Sequence, residues 1–510
     1  MGEARRFWQF IAGLTLVRLA YISFIPVTPQ EAYYWYYSRH PAPGYFDHPP
    51  LTAYSMWLGT HLFGSTALGV KSMGLIWSLA TSVVLYYAVL RARRWRPVTA
   101  TSPAPEDLQA AVATVALYNL AAFSHVYAVT QMPDTLLMFF WILTVFLFQE
   151  ILLGGGRRYW ILVGASFGLA LLSKYTAVAL LPALLTALIV SPRGRRALLG
   201  PGPYLALGVA ALVFSPVVYW NATHDWASFA FQFADRARSV SHLRLDYAGQ
   251  LLGSQTVLLT PLVAVLFGRT AVRLAREPRR HVAALFFFTT GIFIIGGFAL
   301  ISLRTLVKMN WLLPGYLGLV VAAVLVGQAR GWSWRGSWMR AGAAVSVLLI
   351  VAAHAVVLIP NFPLGDGNTW AGWKDAGPRI KNELDACGGP DRCFLFSNGY
   401  KSASMLKFHV PGQPETYAQN IYGRPALQFD YWPLPAKLRG KDALYVITDR
   451  REYRDDLQYV REFFAEVALE ATYEYDVFWG QRARRIYVYR ARDYRGPPTT
   501  GASPGAQLGT

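Results

Sequence analysis

Acidic residues are scarce in this chain. Its 510 residues hold 29 Asp and Glu against 48 Lys and Arg, and charged residues of both signs make up only 15%. Cysteine is nearly absent. The two present, Cys387 and Cys393 in "CGGPDRC", cannot build a metal site from thiols alone. There is no glycine-rich nucleotide loop, so ATP-driven transport has little support, and no HExxH metal motif. No internal repeat is visible. The first apolar run follows Arg5 and Arg6 as in a signal sequence. No small-residue cleavage site comes after it, so it is expected to stay as an uncleaved first span.

What is abundant is apolar sequence, at 54% hydrophobic residues. That composition excludes a disordered chain and points to a polytopic membrane protein. The net charge of +19 could suggest nucleic acid, but its distribution excludes that partner. The arginines fall in short clusters between apolar runs, as membrane topology demands, and form no continuous basic face. Spans of suitable length are expected near 7–25, 66–90, 108–128, 134–153, 159–173, 175–191, 203–220, 248–268, 282–302, 311–328 and 339–359. The pair from 159 to 191 could instead be one long tilted helix. Arginines at both its ends, Arg157 and Arg158 before and Arg193, Arg195 and Arg196 after, favour two passes.

The same arginine asymmetry sets an orientation. "RARRWR", "GRTAVRLAREPRRH" and "GQARGWSWRGSWMR" are dense in positive charge. The alternate loops hold only Arg39, Lys71, Lys174, Arg236, Arg238, Arg244, Arg304 and Lys308. The N-terminus is therefore expected in the cytoplasm and everything after residue 360 outside. That tail reads as a soluble α/β domain, residues 361–494. "RCFLFSN", "DALYVIT" and "RRIYVYRA" have strand character, and "DDLQYVREFFAEVA" that of an amphipathic helix. In an oxidising compartment Cys387 and Cys393 are expected to form a disulfide, the alternative being two free thiols. Residues 495–510, rich in Pro, Gly, Ser and Thr, are expected to be disordered.

The unusual polar residues fall on the external side of this scheme. "TPQEAYYW…GYFDHPP" carries Glu31, Asp47 and His48 among tyrosines that suit a membrane interface. "MPDTLLMFFW" places Asp134 at a span's external end, "LLSKYTA" places Lys174 at a hairpin tip, and "KMNW" joins two further spans. Each has a bland reading: Asp134 stabilising a helix N-terminus, Lys174 snorkelling, His48 as a turn residue; Asn221 begins a glycosylation sequon, but its position next to the membrane argues against an attached glycan. Arg18, inside the first span, needs a cavity or protein partner. Gathered on one face, these groups suit an amphiphilic substrate with a phosphate head. Cations would hold the phosphate, and a carboxylate would take a proton from an incoming hydroxyl.

With "WNATHDWASFAFQ" added, these motifs resemble the bacterial GT-C-fold glycosyltransferases related to protein O-mannosyltransferases and to the aminoarabinose transferase of lipid A. "YKSASMLKFHVPGQPETYAQNIYGRPALQFDYW" resembles the external domain of the branch containing lipopolysaccharide galacturonic acid transferases. The resemblance implies a GT-C-like membrane catalytic domain over residues 1–360, of about eleven helices, with an extracytoplasmic α/β domain. It implies a polyprenyl-phosphate sugar donor, inversion, and a glycolipid acceptor such as lipid A or lipopolysaccharide, in a bacterial inner membrane. The alternatives are a protein acceptor, or a non-catalytic polyprenyl-glycolipid binder or flippase. Relatives carry an Asp-Glu pair in the first loop, where this chain has Gln30-Glu31. Glu31 therefore ranks first as catalytic base and Asp47 second, with Asp134 sharing the role or positioning the acceptor. His48, Tyr33, Lys174 and Lys308 are assigned to the donor phosphate. Asn221, Trp226, Asn310, Trp311, Tyr400, Gln419 and Asn420 are assigned to sugar or acceptor. No cofactor is required, although three carboxylates could hold a divalent ion.

Overall fold

A computed structural model describes residues 2–95, 103–232, 243–332, 336–359, 362, 368–449, 456–476 and 482–496. Arg236, Arg238 and almost all of the expected disordered tail lie outside them. The helices run α1 (Gly2–Phe24), α2 (Pro29–Arg39), α3 (Leu51–Phe63), α4 (Ala67–Ala92), α5 (Pro105–Asn119), α6 (Ala122–Val129) and α7 (Pro133–Leu152). They continue with α8 (Arg157–Ser173), α9 (Leu181–Val190), α10 (Pro192–Leu198), α11 (Gly202–Ala222), α12 (Ala227–Ala230) and α13 (Leu245–Arg276). The rest are α14 (Val282–Ser302), α15 (Leu313–Ala329), α16 (Ser337–Leu358), α17 (Trp373–Ala386), α18 (Tyr400–His409) and α19 (Leu457–Phe463).

Among the described residues, eight helices are long and apolar enough to cross a membrane, or ten if each of two bent pairs is one span. This is a multi-pass membrane protein. The segment 108–128 is bent by 72° where α5 meets α6. The segment 175–191 opens as a 3-10 turn, Tyr175–Leu180, before α9, and then turns by 108° into α10. α8 has 17 residues, the lower limit of a span at about 17–25 residues. α13 is kinked where Pro261 removes a backbone donor and Thr260 takes a left-handed φ of 63°. The Thr260 hydroxyl donates to the Leu120 carbonyl, 3.1 Å away, tying that kink to the α5–α6 break.

The chain forms two compact units. The first comprises Met1–Ser23, Ala42–Gly59 and Lys71–Ala353, and the second Phe24–Pro41, Thr60–Val70 and His354–Thr510. In the first unit α8 packs between α7 and α11, and α15 packs against α5, α7, α13 and α14. α7 and α15 are apolar all round and their spanning windows are 83% and 89% buried, as expected of helices at the centre of a bundle.

In the second unit a five-stranded sheet has the order β2-β1-β3-β5-β4. Its strands are β1 (Cys393–Phe396), β2 (Thr416–Tyr417), β3 (Asp442–Thr448), β4 (Phe464–Asp476) and β5 (Arg482–Tyr494). β1 pairs in parallel with β2 and β3, and β5 runs antiparallel to β3 and β4. The helix expected over "DDLQYVREFFAEVA" stops at Phe463, and the remainder is strand β4. The period-2 pattern of "FAEVALEATYEYD" wins there because cross-strand pairs support it. Glu466 faces Arg492 and Glu474 faces Arg485, both as ion pairs. Cys387 and Cys393 are joined by a disulfide.

The tyrosines of the opening loop do not sit at a lipid interface. Tyr33, Tyr34, Trp35, Tyr36 and Tyr37 are all buried. α2 packs on α18, with Trp35 against Phe408 and Tyr33 against Tyr400, ring centroids 5.1 and 4.5 Å apart. These aromatic faces form a core within the second unit.

Candidate active site

In the first unit, motifs far apart in sequence meet. α7 begins at Pro133, where a missing N–H costs nothing, and this puts Asp134 in the first turn. The Lys174 ammonium, at the junction of α8 and the 3-10 turn, donates to Asp134 Oδ1 at 2.7 Å. The Asn310 amide donates to the other oxygen, Oδ2, at 2.8 Å. Asp134 and Lys174 are both buried. With both oxygens engaged, Asp134 is an anchor. Lys174 has three donors and one is used here.

A second group adjoins through Tyr175, the residue after Lys174. Its hydroxyl lies 2.8 Å from Ser228 Oγ, and the charge of Asp47 acts on it. Asp47 is itself buried, and its backbone carbonyl accepts from the Gln232 amide at 2.7 Å. Phe46 packs on Phe231 with centroids 4.7 Å apart. Gly44 is needed for this approach, since a Cβ there would come within 2.8 Å of Trp220 Cβ. "GYFDHPP", "LLSKYTA" and "WNATHDWASFAFQ" are thereby gathered around one patch, with "MPD" and "KMNW" joined through Lys174.

The remaining assignments of the first unit fare differently. Asn221 is buried, its amide donating to Val217 O at 3.0 Å and accepting from Phe229 N at 3.1 Å, and its side chain also hydrogen-bonds Tyr175. It braces the turn leading into α12. That turn holds Asp225 and Trp226 at positive φ, 52° and 57°, a strained conformation for side-chain-bearing residues. The Trp226 ring lies 5.9 Å from Phe229 and is half-exposed. Trp311 rests on Phe298 at 5.1 Å. Lys308 is exposed, and His48 is half-buried beside Asp47.

Glu31, Tyr33, Tyr400, Gln419 and Asn420 belong to the second unit. Glu31 completes a capping box on α2. Thr28 Oγ1 accepts from Glu31 N at 3.3 Å, and Glu31 Oε2 accepts from both Thr28 N and Thr28 Oγ1 at 3.0 Å. "TPQE" is the S/T-x-x-E signature of such a box with proline at the first helical position, a signal that could have been read from sequence. The Tyr33 hydroxyl accepts from Gln428 N at 3.2 Å. Asn420 accepts from Ala418 N and donates to Phe429 O, closing its own loop. Gln419 Oε1 is buried with no hydrogen-bond donor among the described residues. Asp430, in the same region, accepts from Ala426 N, yet burial pushes its carboxyl up to about 7.

Sequence reasoning missed Tyr175, Gln232 and Lys71. Lys71, counted above as a loop charge, is fully buried in α4. One turn later a Cβ on Gly74 would lie 2.6 Å from the Thr130 carbonyl, so α4 packs closely on the segment leading into Asp134. A lysine inside an apolar run was the available signal. Among the described residues no three His, Cys, Asp or Glu side chains gather as a metal site.

The architecture is that of the GT-C membrane glycosyltransferases. It matches ArnT from Cupriavidus metallidurans in the apo state with a TM-score of 0.65 at 15% identity, covering 96% of this chain and 98% of that one. For the same transferase bound to undecaprenyl phosphate the TM-score is 0.62 at 14% identity, covering 94% and 98%. Residues 47–220 match the family model for dolichyl-phosphate-mannose-protein mannosyltransferase. Over 218 residues the chain is 28% identical to the lipid A galacturonosyltransferase RgtD of Rhizobium johnstonii. That stretch is 42% of this chain and 43% of RgtD, so the match spans less than half of the curated relative. Over these stretches the chain is similar to these transferases, and the family match includes "MPDTLLMFFW" and "LLSKYTA" but ends before "KMNW".

Proposed function

We propose that this protein is an inverting glycosyltransferase of the bacterial inner membrane. It moves a sugar from a polyprenyl-phosphate donor to an extracytoplasmic glycolipid of the lipid A or lipopolysaccharide class. The N-terminus is cytoplasmic, and the reaction site and the α/β domain face outward. The observation that carries this reading is the buried Asp134–Lys174 pair held by Asn310, with neighbouring Tyr175 on Ser228 in the segment whose Gln232 reaches the Asp47 carbonyl. The names of RgtD and ArnT, and the undecaprenyl phosphate held by the latter, support donor and acceptor class.

In the proposed reaction the acceptor hydroxyl oxygen bonds to the anomeric carbon as the bond from that carbon to the phosphate oxygen breaks. The electron pair leaves with polyprenyl phosphate, whose charge the Lys174 ammonium offsets in a site of low dielectric. Asp134 and Asn310 hold Lys174 in place. The acceptor's proton passes to Asp47, which replaces Glu31 as the preferred base because Glu31 is committed to its cap. A binder or flippase of the same glycolipid is the second reading, favoured by that commitment of the first-loop glutamate.

The test is purified protein in sealed proteoliposomes with polyprenyl-phosphate sugar and lipid A. Release of polyprenyl phosphate together with a sugar-sized mass gain on lipid A is the expected result. Intact donor on both sides of the membrane would instead support the flippase. A mass gain on protein alone would move the acceptor class.

A further inference from the structure

At the opposite end of α8 from Lys174, the first unit contains a cavity of about 530 Å³ that the proposed reaction does not use. Trp160 and Phe167 of α8, Leu184 and Leu188 of α9, and Ala206 and Leu207 of α11 are among its walls. Its size lies within the roughly 300–1,000 Å³ of ligand sites, and its lining is almost wholly apolar. The cavity spans α8 from residue 160 to 167, about 10–20 Å from Lys174 along the helix axis at ~1.5 Å per residue. Leu185, Tyr204 and Leu207 on its rim are half-exposed or more, so it opens to the surface.

Arginines flank its walls in sequence. Arg157 precedes the wall residue Trp160 by three, on the same face of α8, and Arg193 and Arg196 lie in α10, whose last residue Leu198 lines the cavity. Arg157, Arg158, Arg193 and Arg196 are exposed and make no ion pair among the described residues. No Asp or Glu occurs between Glu150 and Asp225. Arg195 is used differently: its guanidinium donates to the Ile189 and Val190 carbonyls at 3.1 and 3.2 Å, holding the sharp turn from α9 into α10. Topology alone accounts for arginines at this end. It does not require an apolar chamber to open between them.

We propose that this is a binding site for an anionic phospholipid, one acyl chain filling the cavity and the phosphate resting among Arg157, Arg158, Arg193 and Arg196. Basic clusters at the ends of apolar clefts between membrane helices suit such headgroups. The guanidinium fork matches phosphate oxygens. Tyr204, apolar in body and polar at its tip, suits the rim. The site is separate from the proposed donor phosphate contact at Lys174 and does not depend on it.

The test is native mass spectrometry of the full-length protein with phosphatidylglycerol and phosphatidylcholine of equal chain length. Wild type is expected to retain phosphatidylglycerol at least about tenfold better, a modest return from four arginines near a headgroup. The variant carrying Arg157→Gln, Arg158→Gln, Arg193→Gln and Arg196→Gln is expected to lose that preference. Leu185→Trp, at a half-exposed rim position the fold tolerates, is expected to lose lipid while keeping the wild-type melting temperature. Equal retention of both lipids by wild type would overturn the proposal. So would an unchanged preference in the arginine variant. One-for-one displacement of phosphatidylglycerol by undecaprenyl phosphate would also overturn it, by assigning the cavity to a polyprenyl tail.

Discussion

Asp134 and Glu31 are both buried carboxylates in the first turn of a helix, and by sequence either could be stabilising that helix end. The structure gives them opposite occupations. Glu31 sits three residues after Thr28 and closes a capping box. Asp134 follows Met132 and Pro133, neither of which has a side chain able to cap, and makes no cap bond. Its two oxygens reach across the bundle to Lys174 and Asn310. Both acids sit where a helix dipole favours negative charge, but only Glu31 makes a cap bond. A cap is a local device, visible in four consecutive residues. A long-range ion pair is not.

The sharpest way to test this contrast is to remove a charge without removing its shape. Asp47→Asn is expected to lower turnover by about 10²–10⁴-fold, the usual contribution of a general base, with melting temperature unchanged. Glu31→Gln should leave turnover near wild type, because glutamine serves a capping box as well as glutamate does. Collapse of the Glu31→Gln activity with a normal melting temperature would return the base to Glu31 and break the comparison.

Next come the partners of the anchored acid. Lys174→Met or Asp134→Asn strands the other member of a buried pair, at a cost of about 3–5 kcal/mol. Thermal unfolding should show the double variant more stable than either single one, and all three inactive. A smaller effect is expected from Thr28→Ala, about 0.5–2 kcal/mol for a lost helix cap. Full activity should persist below its lowered melting point.

The smallest effect concerns the outer side of α2. Tyr36 on α2, His40 at its C-cap and Lys407 on α18 all meet Glu415. Burial alone would raise this carboxyl, but the His40 hydrogen bond and the Lys407 charge outweigh it and bring it down to about 2. Its unfolded value is near 4.3. The contact therefore contributes its full stability above that pH and loses it as pH falls toward 2. Glu415→Gln should flatten this part of an acid-unfolding curve monitored on the second unit. An identical acid slope in the variant would remove Glu415 from the account.

Much of the fold was legible in the residues alone. Apolar runs mark helices because a bilayer leaves the backbone no other partner than itself. The strands at 393–396 and 442–448 announce themselves by composition. The helix expected over residues 455–468 was misjudged in its second half because β4 exists through its ion-paired neighbour β5, which no local pattern reports. Likewise "TPQE" could have been read as a cap, while the contacts of Asn221 with the backbone of its own turn and with Tyr175 could not. The tyrosines of α2 look interfacial in sequence and are core in the structure, since only packing on α18 decides which of two apolar surroundings they meet.

By itself, then, the sequence determined the membrane class, the helical runs, the α/β character of the tail and the residue types able to handle a phosphate. These follow from local composition and from charges that cannot enter lipid. Tertiary structure alone decided that Lys174 would grip Asp134, that Gln232 would reach the Asp47 carbonyl, that Lys71 would be buried, and that an apolar chamber would open between α8, α9 and α11. Those outcomes depend on which faces of α4, α7, α8, α9 and α11 meet, and on a glycine at position 44 that lets one loop close on Trp220. Such approaches are set by packing many helices at once, at distances that no stretch of the chain specifies alone.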